Sequence, residues 1–343
     1  MAESFFALSR NDQREALEYG RAQTGRPARL LEKDVWVVWT LRALFDSPLS
    51  NSLTFKGGTS LSKVYKIIDR FSEDIDLTCD IRKLIPHLAS AGEDLPASRS
   101  QASKWTQAVR YELPGWIARN VLPVLQAALA RERLNARIES AGQENDKLLL
   151  HYPALTQGEG TGYVAPAVTL EFGGRASGEP HQVAQVTCDL AGHLAQVSFP
   201  SARPRVMRIE RTFWEKATAA HVFCAQGRLR GERYARYWHD LAAIARSSHL
   251  AAVIADRAVA SAVARHKSCF FVEKDAAGQT IDYAAATAGH LKIVPEGAAR
   301  IALAKDHAAM LADEMMVGNA LSFDELLQAC ADLQVKVNMA AAP

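Results

Sequence analysis

The sequence predicts an α+β fold, with a mixed β-sheet flanked by helices and a helical C-terminal domain after it. Three observations carry that prediction. Apolar residues recur at helical spacing through the first fifty positions. Short apolar runs, several with alternating polarity and bounded by Gly and Pro, then intermix with helical stretches from Ser52 to Phe199. After Pro204 the texture turns alanine-rich and helical to the end. A boundary near residue 203 follows, giving an α+β domain over 1–203 and a helical domain over 204–343 that contributes to the active site.

The elements read in order as follows. Ser9 caps a first helix that Gly25 stops, and Pro27 opens a second carrying Leu30, Leu31, Val35, Val38, Trp39 and Leu41 on an apolar stripe. Pro48 ends it. Ser52–Lys56 reads as a strand, Gly57–Ser60 as a turn and Leu61–Ile68 as a helix. Glu73–Cys79 alternates, with Ile75 and Leu77 on one face and Asp74 and Asp76 on the other. A Pro/Gly/Ser-rich loop spans 90–100, and Gln101–Arg133 is mainly helical, interrupted near Pro114 and Pro123. Strands are expected at Asn135–Ser140, Lys147–Tyr152, Ala165–Phe172 and Gln182–Leu190, with a fifth at Leu194–Phe199. The C-terminal helices break at 227–231, 274–280 and 295–297.

Composition narrows the function classes. Of 343 residues, 48% are hydrophobic and 23% charged, which excludes disorder and collagen as descriptions of the whole. No apolar run reaches membrane-spanning length. The start, Met-Ala-Glu-Ser-Phe-Phe, has no basic segment followed by an apolar core, so no secretory signal is expected. Five scattered cysteines without a CxxC pair fit a reducing cytoplasm rather than a zinc knuckle or a disulfide framework. The net charge of +2 hides an asymmetry. Nine Lys/Arg stand against three Asp/Glu between Arg203 and Arg236, whereas eight stand against eleven from Ala251 onward. Such a basic segment suits phosphates or nucleic acid, and equally a solvated helical face.

Chemistry concentrates in Phe55-Lys56-Gly57-Gly58-Thr59-Ser60-Leu61 followed by Arg70-Phe71-Ser72-Glu73-Asp74-Ile75-Asp76-Leu77. Glycines let backbone N–H groups approach a ligand, and Ser60 opens a helix whose N-terminus favours an anion such as a triphosphate. Asp74 and Asp76 share one face of a strand. Two adjacent carboxylates repel unless a cation lies between them. A glycine-rich turn and a paired-acid strand are what metal-assisted nucleotide chemistry needs. The segment is neither a P-loop nor a dinucleotide fingerprint, and the chain holds no H-E-x-x-H and no G-x-S-x-G.

These two runs resemble the AbiEii/MenT group of nucleotidyltransferase toxins, of the DNA polymerase β-like nucleotidyltransferase superfamily. Glu210-Arg211-Thr212-Phe213-Trp214-Glu215-Lys216-Ala217 is similar to that family's helix with a functional lysine, and Arg236-Tyr237-Trp238-His239-Asp240-Leu241 to its later R-x-x-x-D-L helix. The resemblance runs from about Lys56 to Leu241. It implies a nucleotidyltransferase-like sheet and an enzyme that transfers a nucleotide from an NTP and releases pyrophosphate, with Mg²⁺ or Mn²⁺ as cofactor. Some members modify the acceptor end of tRNA, and a cognate antitoxin is the implied partner.

The individual residues carry their own arguments. Asp74 and Asp76 are the expected metal ligands; Lys56, Gly57, Gly58, Thr59 and Ser60 are expected at the triphosphate, together with Arg70 and Arg175. Lys216 borders the apolar stripe of its helix and needs an anion, either a triphosphate or a structural carboxylate. Asp240 repeats that pattern, with Arg233 and Arg236 on its face; it is either a surface partner of an arginine or an inward acid that positions Lys216 or the arginines. The third acid is Glu171, between Leu170 and Phe172 on a strand, with Asp189 as its rival. Two other readings stay open: a transferase of the same fold acting on a protein or small molecule, and a non-catalytic nucleotide-binding module.

Overall fold

A computed structural model describes residues 2–72, 74–90, 95–155, 166–229, 231–312, 316 and 320–341. Glu73, Ala165, Arg230 and part of the 90–100 loop, all drawn into the expectations above, lie outside the described residues. The chain divides into two compact units. One comprises Met1–Val64, Phe71–Asp94 and Trp105–Val206; the other comprises Tyr65–Arg70, Leu95–Lys104 and Met207–Pro343.

The first unit opens with helices α1 (Arg10–Thr24) and α2 (Ala28–Phe45). The Ser9 hydroxyl accepts from the Asp12 N–H at the start of α1, and Gly25 ends it in the left-handed region at φ 70°. Nearly every side chain of α2 is buried, polar ones included. That explains why its stripe reads so broadly apolar.

Seven strands form the principal sheet among the described residues. They are β1 (Leu53–Lys56), β2 (Ile75–Asp80), β3 (Arg137–Ala141), β4 (Lys147–His151), β5 (Ala167–Ala176), β6 (His181–Val183) and β7 (Arg205–Met207). Their order is β3-β4-β5-β2-β1-β7-β6. β5 runs parallel to β2 and β7 parallel to β1, while β1–β2, β3–β4 and β4–β5 are antiparallel. The sheet is therefore mixed, as expected. Leu53, Phe55, Ile75, Leu77, Leu148, Leu150, Leu170 and Phe172 are buried, alternating along their strands with less buried residues at many positions.

Several local readings needed correction, among them the helical reading from Pro204 onward, because Arg205–Met207 extends along Phe55 as strand β7 before the helices begin. Gly57–Ser60 is not a turn before a helix but the first turn of helix α3 itself, Gly57–Lys63, and the chain leaves helical geometry after Val64 instead of continuing to Ile68. Lys66 adopts a positive φ of 53° there, which breaks the helix that the apolar spacing suggested. Gln182–Leu190 splits into β6 and a two-residue strand, Val186–Thr187. The fifth candidate shrinks to Val197–Ser198.

A buried ion network holds α3 in place. The Lys63 ammonium, at its C-terminal end, meets Asp34 of α2 and donates to Asp189 Oδ1 at 2.6 Å, while Arg26 also bonds Asp189. The Asp189 N–H donates to Asp34 Oδ2 at 2.7 Å. Burial pushes the Asp34 carboxyl up to about 6, with the Asp189 charge adding to this and Lys63 opposing it.

The second unit is helical: α6 (Ile209–Gln226), α7 (Ala235–Ala245), α8 (Arg257–Phe270), α9 (Gly297–Ala312) and α10 (Phe323–Ala340) follow helices α4 (Arg99–Trp116) and α5 (Leu122–Glu132) in chain order. Val222, Ala264, Ile281 and Tyr283 form one of its buried clusters. Ser322 and Glu325 close α10 with a reciprocal capping box. No helix of the described residues is long and apolar enough to cross a membrane.

Removing one partner of a buried charge pair strands the other. Lys63→Met should cost about 3–5 kcal/mol in urea unfolding, and Asp34→Leu in the same chain should recover part of that loss. Equal stability of Lys63→Met and wild type would show that the network does not anchor α3.

Candidate active site

The site begins with strand register. Lys56 is directly opposite Asp76 in the β1–β2 pair, Asp76 is level with Glu171 in β2–β5, and Glu171 is opposite Lys147 in β4–β5. Directly paired residues share a face. One row across four strands therefore reads Lys56, Asp76, Glu171, Lys147, with two cations flanking two anions. Lys147 donates a short hydrogen bond to Glu171. That bond is the main reason its ammonium is held above the usual lysine range, despite partial desolvation, with the charges of Glu171, Asp146 and Asp74 adding to it. Asp74 lies two residues before Asp76, just ahead of β2.

The glycine turn is built around Asp76. Gly57 has φ +79°, and a Cβ there would overlap the Asp76 carboxylate. Glycine is required at this position both for its backbone angle and for the space it leaves. Thr59, fully buried, donates from Oγ1 to the Asp74 carbonyl oxygen at 2.5 Å and lies 2.9 Å from Ser72 Oγ. It ties α3 to the segment that leads into β2. The Ser60 hydroxyl, also fully buried, donates to the Gly57 carbonyl at 2.8 Å. Thr59 and Ser60, expected at the triphosphate, thus make internal bonds, while the first-turn N–H groups of α3, Gly58 among them, lack intrahelical acceptors.

The two candidate third acids have different surroundings. Asp189 is bound to Lys63 and Arg26, whereas Glu171 is level with Asp76. Arg175 lies four residues beyond Glu171 on β5, near the Asp80 end of β2, the end farther from Gly57.

Among the described residues no three His, Cys, Asp or Glu side chains are grouped to hold a metal ion. Asp74 and Asp76 still fit a hard cation. They are oxygen donors, and Mg²⁺ is usually held by one or two carboxylates together with substrate phosphates rather than by a complete protein cage.

The second unit has its own centre on Asp240. The carboxylate is fully buried and accepts from Arg70 Nε and Nη2, both at 2.8 Å. Lys216 Nζ is 3.0 Å from Oδ2, and His239 Nδ1 is 3.2 Å from Oδ1. Burial by itself would raise this carboxyl. The charges of Arg70 and Lys216, with hydrogen bonds from His239 and Arg70, overcome that and hold it well below the usual carboxylate range. Lys216 also lies 5.0 Å from the Tyr237 ring centre. Asp240 is therefore the inward acid. The guanidinium it binds belongs to Arg70, expected at the triphosphate, and comes from 170 residues away. Arg233 instead donates its backbone N–H to Asp306. Trp105 and Trp238 are buried.

The model of the family described as nucleotidyl transferase AbiEii toxin, Type IV TA system, matches residues 39–329. The chain belongs to the AbiEii nucleotidyltransferase toxin family. The match extends well beyond Leu241, where the motif resemblance stopped, so most of the helical unit is part of the family's domain. The enzyme is a nucleotidyltransferase, with an NTP as substrate and a cognate antitoxin as partner. No curated protein matches significantly in sequence. Among solved structures the chain is similar to MenT4, a nucleotidyltransferase toxin from Mycobacterium tuberculosis, at 16% identity and TM-score 0.42, covering 97% of this chain and 98% of that one. It is also similar to JHP933 from Helicobacter pylori, at 15% identity and TM-score 0.41, covering 91% and 93%.

Asp240→Asn leaves two buried cations without their counter-charge and should cost about 3–5 kcal/mol at pH 7 by urea unfolding. Because the folded carboxyl titrates below its unfolded value of 3.8, its stabilisation is complete above that pH and is lost as pH falls further. The gap between wild type and Asp240→Asn should hold from pH 5 to 8 and narrow below about pH 4. A gap that is flat down to pH 2 contradicts the assignment.

Proposed function

We propose that this enzyme transfers a nucleotide from an NTP to the end of an RNA, most simply the acceptor end of a tRNA, in a reaction dependent on Mg²⁺ or Mn²⁺. The observation that carries the reading is the level row Lys56–Asp76–Glu171–Lys147 with Gly57 cut away beneath the Asp76 carboxylate. The basic segment from Arg203 to Arg236 favours a polyanionic acceptor over a neutral one. Five free thiols suit a reducing cytoplasm as its compartment.

The acceptor hydroxyl oxygen attacks the α-phosphorus, the bond from that phosphorus to the bridging oxygen of the β-phosphate breaks, and pyrophosphate leaves with the bond's electron pair. The hydroxyl proton passes to Glu171, whose register with Asp76 supports that role. Asp74 and Asp76 would hold the divalent ion, which supplies charge against the triphosphate. Lys56 and the first-turn amides of Gly57, Gly58 and Thr59 receive phosphate oxygens, and Ser60 stiffens that turn. Lys216, aligned by Asp240, supplies the ammonium for the departing pyrophosphate. Arg70 acts through Asp240 as a positioning residue.

Incubation with labelled NTPs, Mg²⁺ and total RNA tests the reading. Label should enter RNA, and EDTA should stop it. Label on protein, or binding without turnover, would replace RNA transfer with one of the rival functions. Asp76→Ala should abolish transfer with the melting temperature nearly unchanged. Retention of more than about a tenth of wild-type activity, a loss under about 1.4 kcal/mol, would remove Asp76 from the reaction centre.

Lys216→Ala should lose turnover by orders of magnitude while nucleotide binding falls far less, because charge on pyrophosphate grows in the transition state. Lys216→Arg should not restore it fully, since a planar guanidinium replaces a compact charge. A destabilised but fully active Lys216→Ala protein would reduce Lys216 to a structural partner of Asp240.

A further inference from the structure

Strand β5 is ten residues long and its neighbour β4 only five. Their pairing ends at Lys147 opposite Glu171. Past that point β5 stays paired to β2 on one side, through Gly173 with Thr78 and Ala176 with Asp80. On the other side β4 has stopped, leaving a step in the sheet. The β3–β4 turn brings Glu144 and Asp146 to this step, and α4 brings Arg110 and Leu113. With Gly173 and Arg175 of β5 they line a cleft.

The cleft has a defined chemistry. Leu113 provides an apolar wall, while Arg110 and Arg175 offer donors and Glu144 and Asp146 offer acceptors. Arg110 Nε is 3.5 Å from Glu144 Oε1 in a pair exposed at the rim, too weak to close the cleft. Burial lowers the pKa of Arg175, and the Arg110 charge lowers it further, partly offset by Glu144. A bare phosphate would meet two carboxylates here. A planar heterocycle with both donors and acceptors on its edge satisfies both pairs. Arg175 is four residues along β5 from Glu171, about 13 Å at roughly 3.3 Å per residue, a span that the sugar and base of a nucleotide bridge.

Resting on the reaction centre assigned above, we propose that the cleft between Arg110, Leu113, Glu144, Asp146, Gly173 and Arg175 receives a nucleobase and sets which nucleotide the enzyme uses. The base belongs either to the incoming NTP or to the terminal residue of the acceptor. Both present the same edge chemistry.

The test measures kcat/KM for the four NTPs on short synthetic RNAs that differ only in their last nucleotide. The variants are Arg175→Ala, Arg110→Ala and Gly173→Val, with Asp76→Ala run alongside. Gly173→Val is the fold-tolerant control. A Cβ there meets only the Leu77 carbonyl oxygen at 4.0 Å, and a β-branched residue suits a strand. The preference between best and next-best substrate should fall about tenfold in Arg175→Ala and shift in Gly173→Val. A change in NTP preference alone identifies the incoming base; a change in terminal-nucleotide preference alone identifies the acceptor base. Both sets of ratios staying within about twofold of wild type in folded variants, whatever the overall rate, overturns the inference. Transfer surviving in Asp76→Ala refutes the reaction centre instead, so the two failures are distinguishable.

Discussion

The first unit depends on one unfavourable juxtaposition. Asp76 and Glu171 are level on adjacent parallel strands, and like charges side by side destabilise a sheet. The surrounding structure offsets that repulsion without removing it. Lys56 and Lys147 flank the pair in the same register, and Gly57 leaves room for the Asp76 carboxylate. A sheet selected only for stability would place apolar or oppositely charged residues here. Retaining two carboxylates at a strand end beside a glycine-opened helix makes sense for a centre that receives additional positive charge with its substrate.

Positioning falls to side chains that bond within the protein. Thr59 ties α3 to the Asp74 carbonyl, Ser60 closes the first helical turn, and Lys63 locks the last turn onto Asp34 and Asp189. The seven-residue helix is thus held at start, middle and end by buried polar bonds. In the second unit Asp240 performs the corresponding task, fixing the Lys216 ammonium with help from Arg70. A buried carboxylate with two cations is a poor source of net stability but a good means of fixing a lysine head group.

Some of this was legible in the residues, for physical reasons. The two-residue period of a strand turns Asp76 away from Ile75 and Leu77, so its face needed no tertiary information, whereas Asp74 lies just ahead of β2 and outside that alternation. The same alternation singled out Glu171 between Leu170 and Phe172. The helix ends at Gly25 and Gly227 were legible because glycine tolerates the left-handed region at a helix C-terminus. The end of α3 was misread because apolar spacing continued to Ile68 while the backbone did not.

Local spacing by itself determined the face of Asp76, the glycine turn that precedes it and the main helices and strands, since each of these depends on residues within one or two turns of chain. Only the tertiary structure decided which strand lies beside which, and therefore that Glu171 rather than Asp189 is level with Asp76. Only it brought Arg70 to Asp240 across 170 positions and opened a cleft where β4 stops short of β5. Register and long-range ion pairing depend on how whole elements pack, and no periodicity along the chain encodes a partner that distant.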